Sequence, residues 1–146
     1  MSEKYWQATS RALFDSDLIA TRITLAIGEL MWAVMLIWPG ESFARPTYTV
    51  MSHVTVEEAW AAIFMLSGVT QLAIVLLDDF DSRFARYFAG WNAALWIFVV
   101  VSMLISVYPP PAAVGGEIAL AIAALWIFVR PFILSAGYRR AFRELI

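Results

Sequence analysis

The sequence contains no cysteine. That absence excludes disulfides, thiolate metal centres and cysteine nucleophiles, and the chain carries no redox signature of its compartment. Histidine is nearly absent as well: His53 is the single one, and it falls in a loop. No membrane-depth imidazole is therefore available to ligate haem or a quinone. Glu57, four residues on, would give His53 at most one helix-compatible partner, short of a closed metal site. A glycine-rich phosphate loop and a Ser-His-Asp arrangement are both missing. No catalytic residue, metal or cofactor is expected, and the chain reads as a non-enzyme. Charge is scarce too, at 15% of residues against about 25% in soluble domains. A net charge of −2, with ten basic residues scattered along the chain, gives no nucleic-acid footprint.

What the chain has in excess is apolar surface. Hydrophobic residues make up 62%, against roughly 45–50% in an ordinary soluble domain. A chain of 146 residues is expected to be one domain, and one so small cannot hide that much apolar area from water. Lipid is the alternative solvent. A spanning helix needs about 20 mainly apolar residues, because only a helix satisfies its own backbone in hydrocarbon. Four windows qualify: 18–38, 59–77, 87–108 and 118–136. The run Leu95-Trp96-Ile97-Phe98-Val99-Val100-Val101 has no polar face, which a soluble helix requires. The expected fold is all-α, an integral membrane four-helix transmembrane bundle in which short joints make successive helices antiparallel.

Punctuation sets the boundaries. Pro39-Gly40 ends the first span, Asp78-Asp79-Phe80-Asp81-Ser82 turns after the second, Pro109-Pro110-Pro111 stops the third, and Gly115-Gly116 precedes the fourth. Asp15, Ser16 or Asp17 is expected to cap the first helix, and Thr55 with Glu58 has capping-box spacing ahead of the second. Segment 1–17 mixes charges with aromatics and lacks the apolar core of a cleavable signal. It reads either as an interfacial helix or as a solvated tail. Asp78, Asp79 and Asp81 read as a polar turn near Arg83 and Arg86, ahead of a divalent-cation site.

Lys4, Arg11, Arg22, Arg83, Arg86, Arg130, Arg139, Arg140 and Arg143 fall on one side of the spans and Arg45 alone on the other. The positive-inside rule then places both termini in the cytoplasm, in a cell (inner) membrane. Trp38, Trp60, Tyr87 and Tyr108 mark span ends as an interfacial belt would. The basic tail 137–146, with Arg139, Arg140 and Arg143, is expected to anchor to anionic headgroups.

Polar groups inside a membrane are costly, so they mark interior faces or functional sites. Each span contributes one: Glu29, Gln71, Asn92 and Arg130. Counting residues puts the last three at one level near the cytoplasmic side, with Glu29 deeper. The expectation is a buried polar cluster holding the helices in register, with Glu29 and Arg130 as an ion pair. A proton or ion path through Glu29 is the functional alternative, set second because the outer half offers few ionisable groups. Small residues spaced for close packing form a further signal: Ala20, Thr24 and Gly28; Gly90 and Ala94; Gly115, Ala119 and Ala123. They either close the bundle or join subunits. The hexapeptide Ala94-Leu95-Trp96-Ile97-Phe98-Val99 recurs as Ala124-Leu125-Trp126-Ile127-Phe128-Val129, an echo ascribed to a restricted apolar alphabet more than to a repeat.

The stretch Ala12-Leu13-Phe14-Asp15-Ser16-Asp17-Leu18, the loop Trp38-Pro39-Gly40-Glu41-Ser42-Phe43-Ala44-Arg45-Pro46-Thr47-Tyr48 and Glu57-Glu58-Ala59-Trp60 resemble small membrane proteins carried by tailed bacteriophages and prophages. The resemblance spans most of the chain and includes no catalytic motif. It implies a viral setting, in which a small multi-span protein with charged ends is often a holin that oligomerises and opens the host membrane. The strong charge bias and apolar outer hairpin suit any stable four-helix membrane protein equally. Three functions follow as expectations. The first is a holin-like homo-oligomer, the second an accessory subunit of a larger membrane assembly, and the third a small transporter or channel. Expected partners are membrane lipids and other membrane chains, with no nucleic acid.

Overall fold

A computed structural model describes the backbone of residues 3–38, 42–77, 80, 82–112 and 114–143, and the side chains from residue 16 to residue 133 within those segments. Among the described residues helix is the only regular structure, with no strand. The main helices are α1 (Glu3–Ile37), α2 (Thr49–Val54), α3 (Glu57–Leu76), α4 (Arg83–Ser106) and α5 (Val114–Arg143). Four stretches are long and apolar enough to cross a membrane: Ser16–Ile37, Glu57–Leu76, Arg83–Ser106 and Val114–Ile133. The expected windows began two to four residues later than these.

The ends of the long helices differ from expectation. α1 is continuous from Glu3, so residues 3–17 extend the first spanning helix instead of forming a separate element, and Asp15, Ser16 and Asp17 lie inside the helix rather than at its cap. The physical reason is plain in the sequence: no proline or glycine interrupts the chain before Gly28. α5 likewise runs past Pro131 to Arg143, so the expected tail is helical over most of its length. The side chains of Arg139, Arg140 and Arg143 lie outside the described residues. Gly115 and Gly116 form the first turn of α5 instead of preceding it. The capping box at Thr55 and Glu58 is not made: Val56 is the N-cap of α3, without a side-chain cap. Ser82, by contrast, caps α4 by accepting a hydrogen bond from the Ala85 amide at 2.9 Å. Asp78, Asp79 and Asp81 lie outside the described residues, as do Pro39 and Gly40.

Residues 42–56 fold over one end of the bundle. Two 3₁₀ turns, Ser42–Ala44 and Pro46–Tyr48, lead into α2. The connection is pinned at three points. Glu57 Oε1 accepts the Ser42 amide at 3.1 Å, Trp60 Nε1 donates to the Met51 carbonyl at 3.1 Å, and Ser106 Oγ accepts the Val50 amide at 3.3 Å. Met51 is fully buried under this lid and Tyr48 nearly so, while His53 is exposed. Trp60 therefore belongs to the core and not to an interfacial belt, because its indole N–H is satisfied inside and its ring stacks on Phe98 at 5.5 Å. Trp38, Tyr87 and Tyr108 are exposed.

α1 packs on α3 and α5, and α4 packs on α5. Glycines bring these backbones together. A Cβ on Gly28 would stand 3.0 Å from Leu120, and one on Gly90 would stand 3.1 Å from Phe128. The closest approach was not anticipated: a Cβ on Gly68 would meet Leu30 at 2.8 Å and the Ala26 carbonyl at 3.1 Å. Gly68→Ala should therefore destabilise the bundle by about 1 kcal/mol or somewhat more, since overpacking against backbone is poorly relieved. Gly115→Ala, where nothing lies within 4 Å, should be neutral or slightly stabilising. Thermal unfolding of both variants in the same detergent checks the pair. The other small residues divide. Ala20, Thr24, Ala94, Gly115 and Ala119 are exposed, and Ala123 is half-buried.

α3 and α4 meet through large rings instead. Trp32 of α1 lies edge-on to Trp96 at 6.0 Å and to Tyr48 at 5.8 Å, and 5.2 Å from Phe64, which itself lies 5.5 Å from Trp96. These rings fill the bundle from its middle toward the end covered by Tyr48. The hexapeptide echo has no structural counterpart, because Trp96 is fully buried whereas Trp126 is about half exposed, and Ile97 is exposed whereas Ile127 is buried.

Candidate functional site: a buried polar core with an arginine-lined end

α1 turns one face inward along Leu18, Arg22, Leu25, Glu29, Trp32 and Leu36, all buried. The spacing of three and four residues is that of a single helical stripe. Two of the six carry charge. α3 adds Gln71, α4 adds Asn92 and α5 adds Arg130, so the four residues expected from the sequence all turn inward. Gln71, Asn92 and Glu29 are fully sequestered, and Arg130 is at the edge of burial. Arg22, read in the sequence only as a flanking charge, is a fifth member at 2% exposure. Its signal was available, since it shares the stripe with Glu29 seven residues away.

The partners differ from those expected. Glu29 Oε1 accepts a hydrogen bond from Trp96 Nε1 at 3.3 Å, and Oε2 is buried without a hydrogen-bond partner. Glu29 thus takes its contact from Trp96 rather than from Arg130, and the expected ion pair is not formed. Level explains the difference: Arg130 lines the same cavity as Arg22, which lies seven residues, about two helical turns, from Glu29 along α1. Arg22 Nη1 donates to Gln71 Oε1 at 2.6 Å, and its guanidinium carbon lies 5.9 Å from the centre of the Phe80 ring. Arg22 Nε, Gln71 Nε2 and both polar atoms of Asn92 are buried without a hydrogen-bond partner. The cluster therefore does not satisfy itself. Each orphaned group carries a desolvation penalty of about 1–3 kcal/mol.

At the arginine end, a cavity of about 110 Å³ lies between α1, α4 and α5, lined by Arg22, Arg86, Arg130 and Phe80 among others. The opposite end has its own polar group. Glu117, in the first turn of α5, is half-buried beside the Trp32 side chain, and its Oε2 is also unpartnered. It was not weighed in the sequence. On the lid, burial holds the Tyr48 phenol above its ordinary range, and the Glu117 and Glu57 carboxylates add to this against Arg45. Among the described residues no three His, Asp or Glu side chains converge as a metal site.

The outward faces complete the pattern. Ile23, Ile27, Met31, Leu66, Val69, Val101, Ile105, Ile122 and Trp126 are exposed while Arg22, Glu29, Gln71, Asn92 and Arg130 are buried. Fold and site define an all-helical protein with four helices long and apolar enough to span a membrane, apolar faces outward, and a polar cluster set into an aromatic and aliphatic core. No known protein family, no curated protein and no solved structure matches the chain.

Proposed function

We propose that the chain is a non-enzymatic, multi-pass inner-membrane protein with both ends in the cytoplasm, working as a small transporter or channel for a proton or small cation at Glu29. Its outward apolar faces suit lipid, and the arginine-rich end suits the cytoplasmic side. The observation that carries the transport reading is Glu29 itself: a fully buried carboxyl with one oxygen on Trp96 and the other unpartnered. A cluster serving only to lock helices would have its members satisfy one another. Here the carboxyl and both polar atoms of Asn92 keep unused capacity, which a proton or a small cationic guest would take up. Glu117 removes the main objection drawn from the sequence, since it supplies an ionisable group at the outer end. Trp96 meets the Glu29 carboxyl and Trp32 lies beside Glu117, so the rings of Trp32, Phe64 and Trp96 link the two carboxyls. In liposomes under an imposed pH gradient or potential, the wild-type chain should conduct above empty vesicles. Glu29→Gln should lose that flux with its elution profile intact. Wild-type vesicles as tight as empty ones would end the transport reading. A Glu29→Gln chain that fails to fold would return the cluster to a purely structural role.

One observation favours a second reading, the holin-like oligomer. Gly28 and Gly90 are used inside the chain, but Ala20 and Thr24 on α1 and Gly115 and Ala119 on α5 remain exposed, where small residues permit close contact with another copy. Expression should then collapse the membrane potential at a threshold. A chain that stays monomeric in mild detergent would contradict this.

A further inference from the structure

The unpartnered polar atoms of the core carry an inference that rests on the transport reading and refines it. We infer that a file of buried waters runs from the cavity at the arginine end, past Arg22, Gln71 and Asn92, to the free oxygen of Glu29, so that the guest is a proton and it enters from that end. The polar groups fall in order along the bundle. α3 runs against both α1 and α4: Arg22 meets Gln71 and Trp32 meets Phe64, while Trp91 meets Ser67 and Trp96 meets Phe64. α1 and α4 therefore run the same way. Arg22 with Gln71 marks one end of the polar stretch, and Glu29 with Trp96 the other, seven residues or about two turns along α1. Asn92 lies four residues before Trp96 on the same inward face of α4, one turn nearer the arginine end.

The unused atoms decide the guest. Glu29 Oε2 and Asn92 Oδ1 accept, whereas Asn92 Nδ2, Gln71 Nε2 and Arg22 Nε donate, and all are buried without a partner. A hard metal cation takes oxygens only, about six or more of them. It would find two here and leave three nitrogen donors unmet. Water both donates and accepts, and a buried water makes about three hydrogen bonds to groups of this kind. Along such a file a protonated water gives its proton to Glu29 Oε2 and is left neutral, and the carboxyl returns the proton by the reverse step. The side of entry follows from side-chain size. Toward the arginine end the inward face of α4 carries the small Ala85 and Ala89, which line the cavity together with Arg22. Toward the lid it carries Trp96, Val99 and Met103, with the rings of Trp32 and Phe64 packed on Trp96. The cavity, at about 110 Å³, has room for a few waters.

The test uses the full chain in lipid nanodiscs with isotope-labelled tryptophan. The Trp96 indole N–H, identified by its loss in Trp96→Phe, touches Glu29, so its exchange with deuterium reports water arriving there. Asn92→Leu should slow that exchange about tenfold, the scale of one lost hydrogen-bonding group. Asn92→Ser, which keeps a hydroxyl, should exchange at nearly the wild-type rate. The Trp60 N–H, bonded to the Met51 carbonyl under the lid, should not respond, which separates the effect from a general gain in stability. In proteoliposomes under an imposed potential, the current should persist when sodium and potassium are replaced by a large organic cation, and should fall in Asn92→Leu. Trp96 exchange that ignores Asn92→Leu, or that slows equally at Trp60, would overturn the water file even where flux is seen. A current that needs sodium or potassium would overturn the proton. Vesicles as tight as empty ones, with Trp96 exchange still governed by Asn92, would end the transport reading and leave the water file standing.

Discussion

Truncation of Trp96 to alanine is expected to lower the stability of the bundle by about 3–5 kcal/mol, the range for removing a large aromatic from a packed core. Trp96 is fully buried and joins α4 to α1 through Trp32 and to α3 through Phe64. It also supplies the hydrogen bond received by Glu29. Two losses therefore combine in one substitution: a cavity between helices that meet mainly through rings, and a carboxyl with neither oxygen satisfied. Trp96→Phe separates them. It keeps most of the ring packing and withdraws the N–H, so its penalty should be about 1–2 kcal/mol. Unfolding in mild detergent, followed by loss of the monodisperse peak with temperature or denaturant, measures both. A Trp96→Ala chain within about 1 kcal/mol of wild type would mean that the aromatic layer does not hold α3 against α4.

Asn92→Leu is expected to act in the opposite direction on stability. Both polar atoms of Asn92 are buried without a hydrogen-bond partner on a fully enclosed side chain. Exchanging such a group for an apolar one of similar shape removes a desolvation penalty of about 1–3 kcal/mol. The bundle should become more stable while any flux through Glu29 falls, because the interior has lost the group that shares its unused hydrogen-bonding capacity. If Asn92 were only a structural clasp, the same substitution would destabilise the chain. The two accounts therefore predict opposite signs in one unfolding experiment.

The sequence made the helices and their apolar stretches legible because length, composition and breakers decide those, and none depends on which way a helix faces. It also located Glu29, Gln71, Asn92 and Arg130, since any polar residue deep in an apolar stretch must turn inward. What it left hidden was rotation and depth. α3 and α4 are apolar nearly all round, so no periodicity distinguishes the buried Trp60 and Trp96 from the exposed Trp91. Arg22 looked like a flank charge because counting along the chain ignores the stripe it shares with Glu29. The ion pair failed on level, as Arg130 sits beside Arg22 while Glu29 lies opposite Trp96. Gly68 was passed over because it has no small residue four positions away to form a stripe, yet it makes the tightest helix contact by itself. The lid was hidden because its pinning bonds, from Glu57, Trp60 and Ser106, join residues distant in sequence.

The absence of native cysteine makes one measurement unusually clean. Single cysteines at Ser2, near the start of the chain, and at Ser52, exposed on the lid, can be challenged in intact cells with a membrane-impermeant thiol reagent. The account predicts that the chain is recovered with the membrane fraction, that Ser52→Cys is labelled from outside, and that Ser2→Cys is labelled only after the cells are opened. Labelling of Ser2→Cys in intact cells, or recovery of a monodisperse chain from the aqueous fraction without detergent, would contradict it.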